Sequence, residues 1–563
     1  MKVCDYIARF IDSKKIGIVF GVTGGMIAFI VDSIYRRGKT RFIPMHHEQA
    51  AAFAAEAYGR MTGKPGVAMA TSGPGATNII TGIGSCYFDS SAAVFITGQV
   101  RNEDFKGKKK IRQQGFQETD IISVVKPIIK ASYMIKEPDE TPPVLKRAFW
   151  LASDGRPGPV LVDIPIDVQQ ADIKNNKPAL LKTETGCPVG LGKFIGEMYK
   201  KLSQAKRPLI LIGGGIRASK ARDIFLKWVN AMDIPVVHSL MAVDVLPFKH
   251  VNRVGMIGSY GNRYANMAVK ESDFLLVLGS RLDNRQTGPD PREFGKGKEI
   301  FQIDYDKNQL NNRVKDCKVF CCDLKIFLDS AVKNLKKSEN TNINDWKQHI
   351  GNLKKMYPDT HELSCLNDTI HPNQLMHMIS CFGHRAVGYA VDVGQHQMWA
   401  AQSLELNTEQ RLLTSGGMGS MGFGLPAAIG MAFSLPKKPV VLIAGDGGFQ
   451  MNIQELETVK RNKLPLKMVV VNNHCLGMVR QFQDEFFKKR YVATHWGYTA
   501  PDFEKISRAY GIPAKTVKKS SKVKNALKWL WRDPLSPALL QVDIPVFLNV
   551  HPKIKFGSYG HKT

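Results

Sequence analysis

Val440-Val441-Leu442-Ile443-Ala444-Gly445-Asp446-Gly447-Gly448-Phe449 is the stretch that decides the fold. An aliphatic, β-branched run stops at a glycine turn that carries a single acid. Ile453, Leu456 and Val459 follow at helical spacing. A second apolar run, residues 466–471, ends in Asn472-Asn473. Strand, helix and strand make a βαβ unit, and its right-handed crossover puts both strand ends on one edge of the sheet. Asp446 and Asn473 therefore converge. A carboxylate and an amide oxygen suit Mg²⁺, which keeps phosphate oxygens in its octahedron. Glycines at 445, 447 and 448 let backbone N–H groups approach a diphosphate. Alone, Gly-Asp-Gly is also a common turn. Followed 26 residues later by Asn-Asn, with a strand on each side, it is a diphosphate signature.

The same alternation of short apolar runs and helical patterns fills the chain. It predicts an α/β protein of three doubly wound parallel-sheet domains, at 1–172, 190–335 and 360–550. The first closes with a buried strand at 160–165, ending in Pro165. A polar stretch over 169–190, with Asn175, Asn176, Lys177 and Pro178, reads as a linker. The second opens with a strand at 208–212 running into Gly213-Gly214-Gly215, and has further strands at 274–278 and 300–303. A polar helical stretch rich in Lys and Asn, 333–359, reads as a second linker. The third has strands at 386–393, 440–444, 466–471 and 538–542, and residues 551–563 read as a loose tail.

Lys and Arg outnumber Asp and Glu by 78 to 50, a net charge of +28 over 563 residues. The excess is spread along the chain. Its tightest cluster, Lys106, Lys108, Lys109, Lys110 and Arg112, has no interleaved aromatics, which argues against a nucleic-acid partner. A solvated face, or attraction of small anionic substrates, fits better. The nine cysteines form no CxxC pair, and Cys317, Cys321 and Cys322 lack partners for a zinc site. They read as reduced thiols in a cytoplasmic protein. The early acid at Asp5 argues against a signal peptide, and no apolar run is long enough to span a membrane.

Three further segments add to the picture. Val391-Asp392-Val393-Gly394-Gln395-His396 puts a strand end beside small and polar residues. Residues 415–428 are so rich in glycine that the backbone must press against a ligand or a neighbouring helix. His46-His47-Glu48-Gln49 precedes an Ala-rich helix from Ala50 on, so Glu48 stands at a helix mouth. There it is either a dipole-favoured cap or an acid for chemistry.

With these motifs the chain resembles the thiamine-diphosphate-dependent enzyme family, in particular acetolactate synthase catalytic (large) subunits. The likeness runs from Gly21 to about Val542. It includes Phe20-Gly21-Val22-Thr23-Gly24-Gly25, the His47-Glu48 helix, Thr71-Ser72-Gly73-Pro74-Gly75-Ala76-Thr77-Asn78, Phe116-Gln117-Glu118-Thr119-Asp120, and residues 394–401 and 416–430. The resemblance implies a pyrimidine-binding first domain, a central FAD-binding-like domain, and a third domain for the diphosphate and Mg²⁺. It implies an active site between the first domain of one subunit and the third of another. The assembly would be a homodimer or homotetramer, with room for a small regulatory subunit.

The implied chemistry is decarboxylation of a 2-keto acid, pyruvate, and ligation of the two-carbon fragment to a carbonyl acceptor. Glu48 would hydrogen-bond the pyrimidine nitrogen, Gln117 would stabilise oxyanion charge, and Gly25 would donate its backbone N–H. The thiamine diphosphate set is Gly394, Gln395, His396, Gly419, Met421, Gly445, Gly447, Gly448 and Met478, with Met421 propping the bent cofactor. The metal set is Asp446, Asn473 and Cys475. The FAD set is Gly214, Gly215, Arg281, Asp304 and Asp323. Arg285 and Phe482 would line the acceptor pocket. Three positions depart from the family pattern. Ile166 follows Pro165 where a Lys is usual, Thr23 replaces a Pro, and Phe482 stands where many members have Trp. A keto-sugar or other acceptor therefore stays open, as does simple decarboxylation. A non-catalytic partner subunit is disfavoured by Glu48, Asp446 and Asn473.

Overall fold

Buried β-branched runs become strands, and all of them pair in parallel, most through a crossover helix. A computed structural model describes residues 1–175, 188–335, 343–363 and 368–553. Among these, the strands form three six-stranded parallel sheets. The first has the spatial order Arg41–Pro44, Ile18–Gly21, Gly66–Ala70, Ala93–Gln99, Pro159–Pro165 and Ala131–Met134. The third repeats that order with Arg411–Leu413, Gly388–Val391, Val440–Gly445, Leu466–Asn472, Ala538–Asp543 and Ala514–Val517. The middle sheet runs Lys318–Cys321, Glu299–Asp304, Phe274–Leu278, Pro208–Ile212, Val236–His238 and Arg253–Met256. Its first strand in sequence thus sits at the centre.

Two expectations need correction. The helix after Gly445 starts at once, Asp446–Met451, and breaks at Asn452 before Leu456–Arg461. The break coincides with the Asn452 side chain donating to the Gly422 carbonyl at 2.8 Å. The stretch read as a second linker contains the helix Asn344–Met356. Its Trp346, Ile350 and Leu353 enter the middle core, and the Trp346 indole N–H donates to the Pro208 carbonyl at 3.1 Å. A few apolar residues at helical spacing outweighed the many Lys and Asn around them. The expected first linker lies partly, and the expected tail mostly, outside the described residues.

The first and third units share one core. Helix Glu48–Thr62 packs against helix Gly424–Ser434, with Phe53 edge-on to Phe423 at 5.3 Å and Phe20 edge-on to Phe433 at 5.8 Å. A Cβ at Gly430 would fall 2.1 Å from the Ala54 carbonyl oxygen. The alanine run of one helix and the glycine of the other thus set how closely the two approach. Glu455 adds a polar tie, its carboxylate accepting from the His46 and His47 backbone N–H groups at 2.9 and 3.1 Å. All three units meet at Arg411, which pairs with Asp244 at 2.6 Å and donates to the Arg60 carbonyl at 2.9 Å.

A second tie joins the end of the middle unit to the third. His377, on helix Pro372–Phe382, bridges Asp359 (Nε2, 2.9 Å) and Glu405 (Nδ1, 3.0 Å). Burial lowers its basicity, but the two carboxylates outweigh that and raise its pKa above 6.5. A raised folded pKa gives stability that is full below 6.5 and is lost as pH climbs through the folded value.

Two outcomes follow. Gly430→Val wedges the two helices apart. The first thermal transition should fall by about 4–8 °C, the scale of an overpacked core site costing about 2 kcal/mol. His377→Gln should lower the transition of the third unit at pH 6 and have a much smaller effect at pH 9, in scanning calorimetry at both pH values.

Candidate active site

Parallel strands with right-handed crossovers send every strand-to-helix turn to the same edge, and the third unit collects its polar residues there. Gly445 pairs with Val471 across adjacent strands, so Asp446 and Asn473 leave the sheet side by side. Asp446 is the first residue of its helix. Its carboxylate accepts from the Tyr498 hydroxyl at 3.2 Å. Burial pushes it up to about 7, against the opposing effect of Tyr498 and nearby backbone N–H groups. A divalent cation at this point would hold it ionised. Asn473 donates to Gln395 Oε1 at 3.0 Å and accepts at Oδ1 from the Cys475 N–H at 3.2 Å. Gln395 is in turn fixed by the Leu548 carbonyl and the Gln481 amide.

Cys475, the third member of the metal set, has its thiol engaged elsewhere. Its Sγ turns to the Val546 carbonyl at 3.4 Å, and burial pushes the thiol up to about 11. Only its backbone oxygen is suited to a hard cation. Carboxylate, amide oxygen and backbone oxygen together form a donor set that fits Mg²⁺, leaving positions for phosphate and water.

His396 also lies differently from a ligand contact. Its ring is buried between Gly394 and Gly445, where a Cβ would approach it to 2.7 and 2.8 Å, and its Nε2 accepts the Gly445 N–H at 3.2 Å. Burial pushes the imidazole down to about 3, so it is neutral. It props the turn from beneath. Gly447 faces Met421, whose Cε would lie 3.1 Å from a Cβ there, and Gly448 backs onto the Asp392 carboxylate. Met478 is partly buried against the third core.

The glycine-rich loop is held by Asp392, which carried no assigned role in the sequence. It accepts the N–H groups of Val393, Gly422 and Gly424 at 2.7, 3.0 and 2.7 Å. Burial raises its pKa to about 6, the three donors pulling the other way. Gly419 and Gly422 have φ of 70° and 84°, a left-handed backbone that favours glycine. Tyr498 was likewise missed. It lies 52 residues past Asp446 in a loop, and no local pattern points to it.

The first unit presents its own set at the equivalent edge. His47 caps the helix, its Nδ1 accepting the Gln49 N–H at 3.0 Å, which leaves Glu48 free of the capping role. Glu48 is buried. Its Oε2 accepts from the Asn78 amide at 2.9 Å, and Oε1 is left over. Gln117 holds φ +65° and packs on Gly73, a strained posture for a residue with a side chain. A Cβ at Gly25 would meet nothing, so its backbone stays open to approach. Thr23 is exposed, Ile166 is half-buried, and neither carries charge. Glu48 and Asp446 share no hydrogen bond among the described residues.

A cavity of about 310 Å³ lies where the three units meet. Gly214, Gly215, Arg281, Asp304 and Asp323 all line it, as does Arg285. Burial raises Asp304. Asp323 caps helix Leu324–Lys333 through Oδ1, which leaves Oδ2 for a ligand. Phe482 stands apart on helix Gly477–Phe486, half-exposed and tilted against Phe486 with ring centroids 4.5 Å apart.

Family models agree with this layout. Residues 1–124 match the N-terminal TPP-binding domain of thiamine pyrophosphate enzymes, 195–330 the central domain and 392–542 the C-terminal TPP-binding domain. The acetolactate synthase large subunit of Lactococcus lactis is 37% identical over 97% of this chain and 93% of its own length. The probable acetolactate synthase large subunit of Methanococcus aeolicus is 35% identical over 94% and 90%. Acetolactate synthase 2, chloroplastic, of Nicotiana tabacum is 35% identical over 99% and 84%. With three matching domains, relatives spanning nearly all of its length and both polar sets in place, the chain belongs to the thiamine pyrophosphate enzyme family, as a thiamine-diphosphate-dependent enzyme related to acetolactate synthase large subunits.

Proposed function

We propose that the chain decarboxylates pyruvate and joins the two-carbon unit to a carbonyl acceptor, giving acetolactate when that acceptor is a second pyruvate. The observation that carries this reading is the pair of polar sets, Asp446 with Asn473 and Glu48 with Gln117, at equivalent edges of two sheets of one topology. When bound, thiamine diphosphate supplies the nucleophilic carbon and the electron sink for decarboxylation. Asp446, the Asn473 amide oxygen and the Cys475 backbone oxygen would hold Mg²⁺ and, through it, the diphosphate. The turn after Gly445 would offer the Gly447 and Gly448 backbone N–H groups to the phosphates, the Gly445 N–H being taken by His396, and Met421 would support the cofactor. Glu48 Oε1 would hold the proton shared with the pyrimidine nitrogen, its other oxygen being fixed by Asn78. Gln117 and the Gly25 N–H would face developing oxyanion charge.

Overall, pyruvate and one proton combine with the acceptor carbonyl. The bond from the keto carbon to the carboxyl carbon breaks and CO₂ leaves. A new bond then joins the keto carbon to the acceptor carbon, whose oxygen takes the proton. Nothing is oxidised.

FAD would occupy the cavity at the three-unit junction, with Gly214 and Gly215 beside its phosphates, Arg281 as a counter-charge, and Asp304 and Asp323 accepting from hydroxyls. We read the working assembly as a homodimer in which Glu48 of one chain meets the third unit of the other, with tetramers and a small regulatory subunit as further states. No helix among the described residues is long and apolar enough to cross a membrane. We place the protein in the cytoplasm.

Three measurements test this. With thiamine diphosphate, Mg²⁺ and pyruvate, the protein should release CO₂ and form acetolactate. Glu48→Gln should bind the cofactor yet turn over about 10²–10⁴-fold slower, the range for losing a proton-transfer group. Asp392→Ala leaves three buried N–H groups unpaired. It should weaken thiamine diphosphate binding by at least about tenfold in calorimetric titration.

A further inference from the structure

The carboxyl edge of the first sheet holds one feature that pyruvate chemistry does not use. The crossover after strand Ala93–Gln99 carries Lys106, Lys108, Lys109, Lys110 and Arg112 within seven residues. No acidic side chain pairs with any of them among the described residues. The loop has a defined shape. Glu118, the neighbour of Gln117, accepts the Lys106 N–H at 2.8 Å through one oxygen, and the Gln114 and Gly115 N–H groups at 2.8 and 3.3 Å through the other. The Lys106 ammonium donates to the Arg112 carbonyl, and that of Lys109 to Gln114. Lys108, Lys110 and Arg112 are left pointing to solvent. Phe116, beside Gln117, is 79% exposed.

Residue 166 lies on the same edge. Its neighbour Asp167 accepts the Asn102 N–H at 3.2 Å, and Gln169 of the same short helix donates to the Met26 carbonyl at 2.7 Å, next to Gly25. There the side chain is Ile166, which cannot hold a carboxylate adjacent to a reacting carbonyl. Positive charge on this edge is set outward, on a loop tied to the residue that follows Gln117. Such spacing suits an acceptor whose negative charge lies several bonds from its carbonyl. An exposed aromatic ring four residues after Arg112, next to Gln117, suits a flat or sugar-like skeleton between the carbonyl and the charge.

We propose that the preferred acceptor is a keto compound of sugar type carrying a phosphate or diphosphate remote from its carbonyl, held by Lys108, Lys110 and Arg112 with its skeleton on Phe116. This rests on the carboligase reading above. It keeps the same bond changes, with the acceptor ketone in place of the second pyruvate. Pyruvate remains a slower acceptor, for which Arg285 is the available cation.

The test uses the full chain loaded with thiamine diphosphate, Mg²⁺ and FAD, with pyruvate as donor. The acceptors are dihydroxyacetone phosphate, a thymidine-diphosphate 4-keto-sugar and uncharged dihydroxyacetone, with products identified by mass spectrometry. Dihydroxyacetone phosphate should exceed dihydroxyacetone in kcat/KM by about tenfold or more, the scale of one or two charge-assisted hydrogen bonds. The ratio should shrink as salt rises. It should collapse toward one in the combined Lys108→Gln, Lys110→Gln, Arg112→Gln variant. A faster nucleotide-linked sugar identifies a diphosphate acceptor, and a faster monoester a simple sugar phosphate; either supports the proposal. A ratio near one in the unmodified protein, or acetolactate with no phosphorylated product, overturns it. Absence of CO₂ release from pyruvate would instead sink the underlying reading along with it.

Discussion

The handedness of the strand-to-strand crossover is the constraint from which the rest follows. Because each crossover in these parallel sheets turns the same way, every strand delivers its next residues to one edge. In the third unit that edge receives Gly394, Met421, Asp446 and Asn473 from four different strands. In the first it receives Gly25, Glu48, Gly73 and Gln117. Residues hundreds of positions apart become two compact polar sets without a dedicated scaffold. The topology shared by the two sheets makes the sets equivalent in position and leaves them free to differ in chemistry. In the proposed reaction one would hold charge and metal, the other a proton.

This is also why so much of the site could be read beforehand. Asp446 and Asn473 announce themselves because they end strands with unmistakable β-branched runs. Glu48 does so because it opens a helix of alanines. What stayed hidden is what depends on tertiary contact. Tyr498 reaches Asp446 from a loop with no periodic pattern. Asp392 looks in sequence like any strand-terminal acid, and its three backbone donors come partly from a loop some thirty residues on. His396 and Cys475 follow strand ends beside the turn, yet the His396 ring takes the Gly445 N–H and the Cys475 thiol turns to the Val546 carbonyl. Spacing gives proximity; burial decides which atom faces inward. The helix Asn344–Met356 shows the reverse error, where composition suggested a solvated linker and three well-spaced apolar residues docked it on the middle core.

Several carboxylates are buried at cost to the folded state. Asp446 and Asp392 are raised by burial, as is Asp163, whose oxygens accept from Thr97 and Gln99. A raised carboxyl weakens the folded state as pH rises past its ordinary range. Such residues are therefore not explained by stability. Asp392 organises a loop by accepting backbone N–H groups that no helix or strand could satisfy. Asp446 is kept where a cation's charge can offset the burial. Binding energy then compensates strain already built into the apoprotein, and uptake of metal and diphosphate should tighten the whole third unit.

Asp89 carries that logic across unit boundaries. It lies on the wall of the central cavity and accepts the N–H groups of Gly416 and Gly417 at 3.1 and 2.5 Å. Burial and the nearby Glu56 push its carboxyl up. Those glycines begin the loop that continues to Gly419 and Met421. Beside Asp89, Arg60 pairs with Glu56 and donates to the Thr414 carbonyl, while Arg411 joins Arg60 to Asp244 of the middle unit. One wall of the cavity is thus the anchorage of the loop that carries Met421. A ligand filling the cavity would press on Gly416, Gly417 and Asp89 together and restrict that loop. The loop has left-handed glycines at 419 and 422 and little side-chain bulk, so it needs an external support to hold one shape.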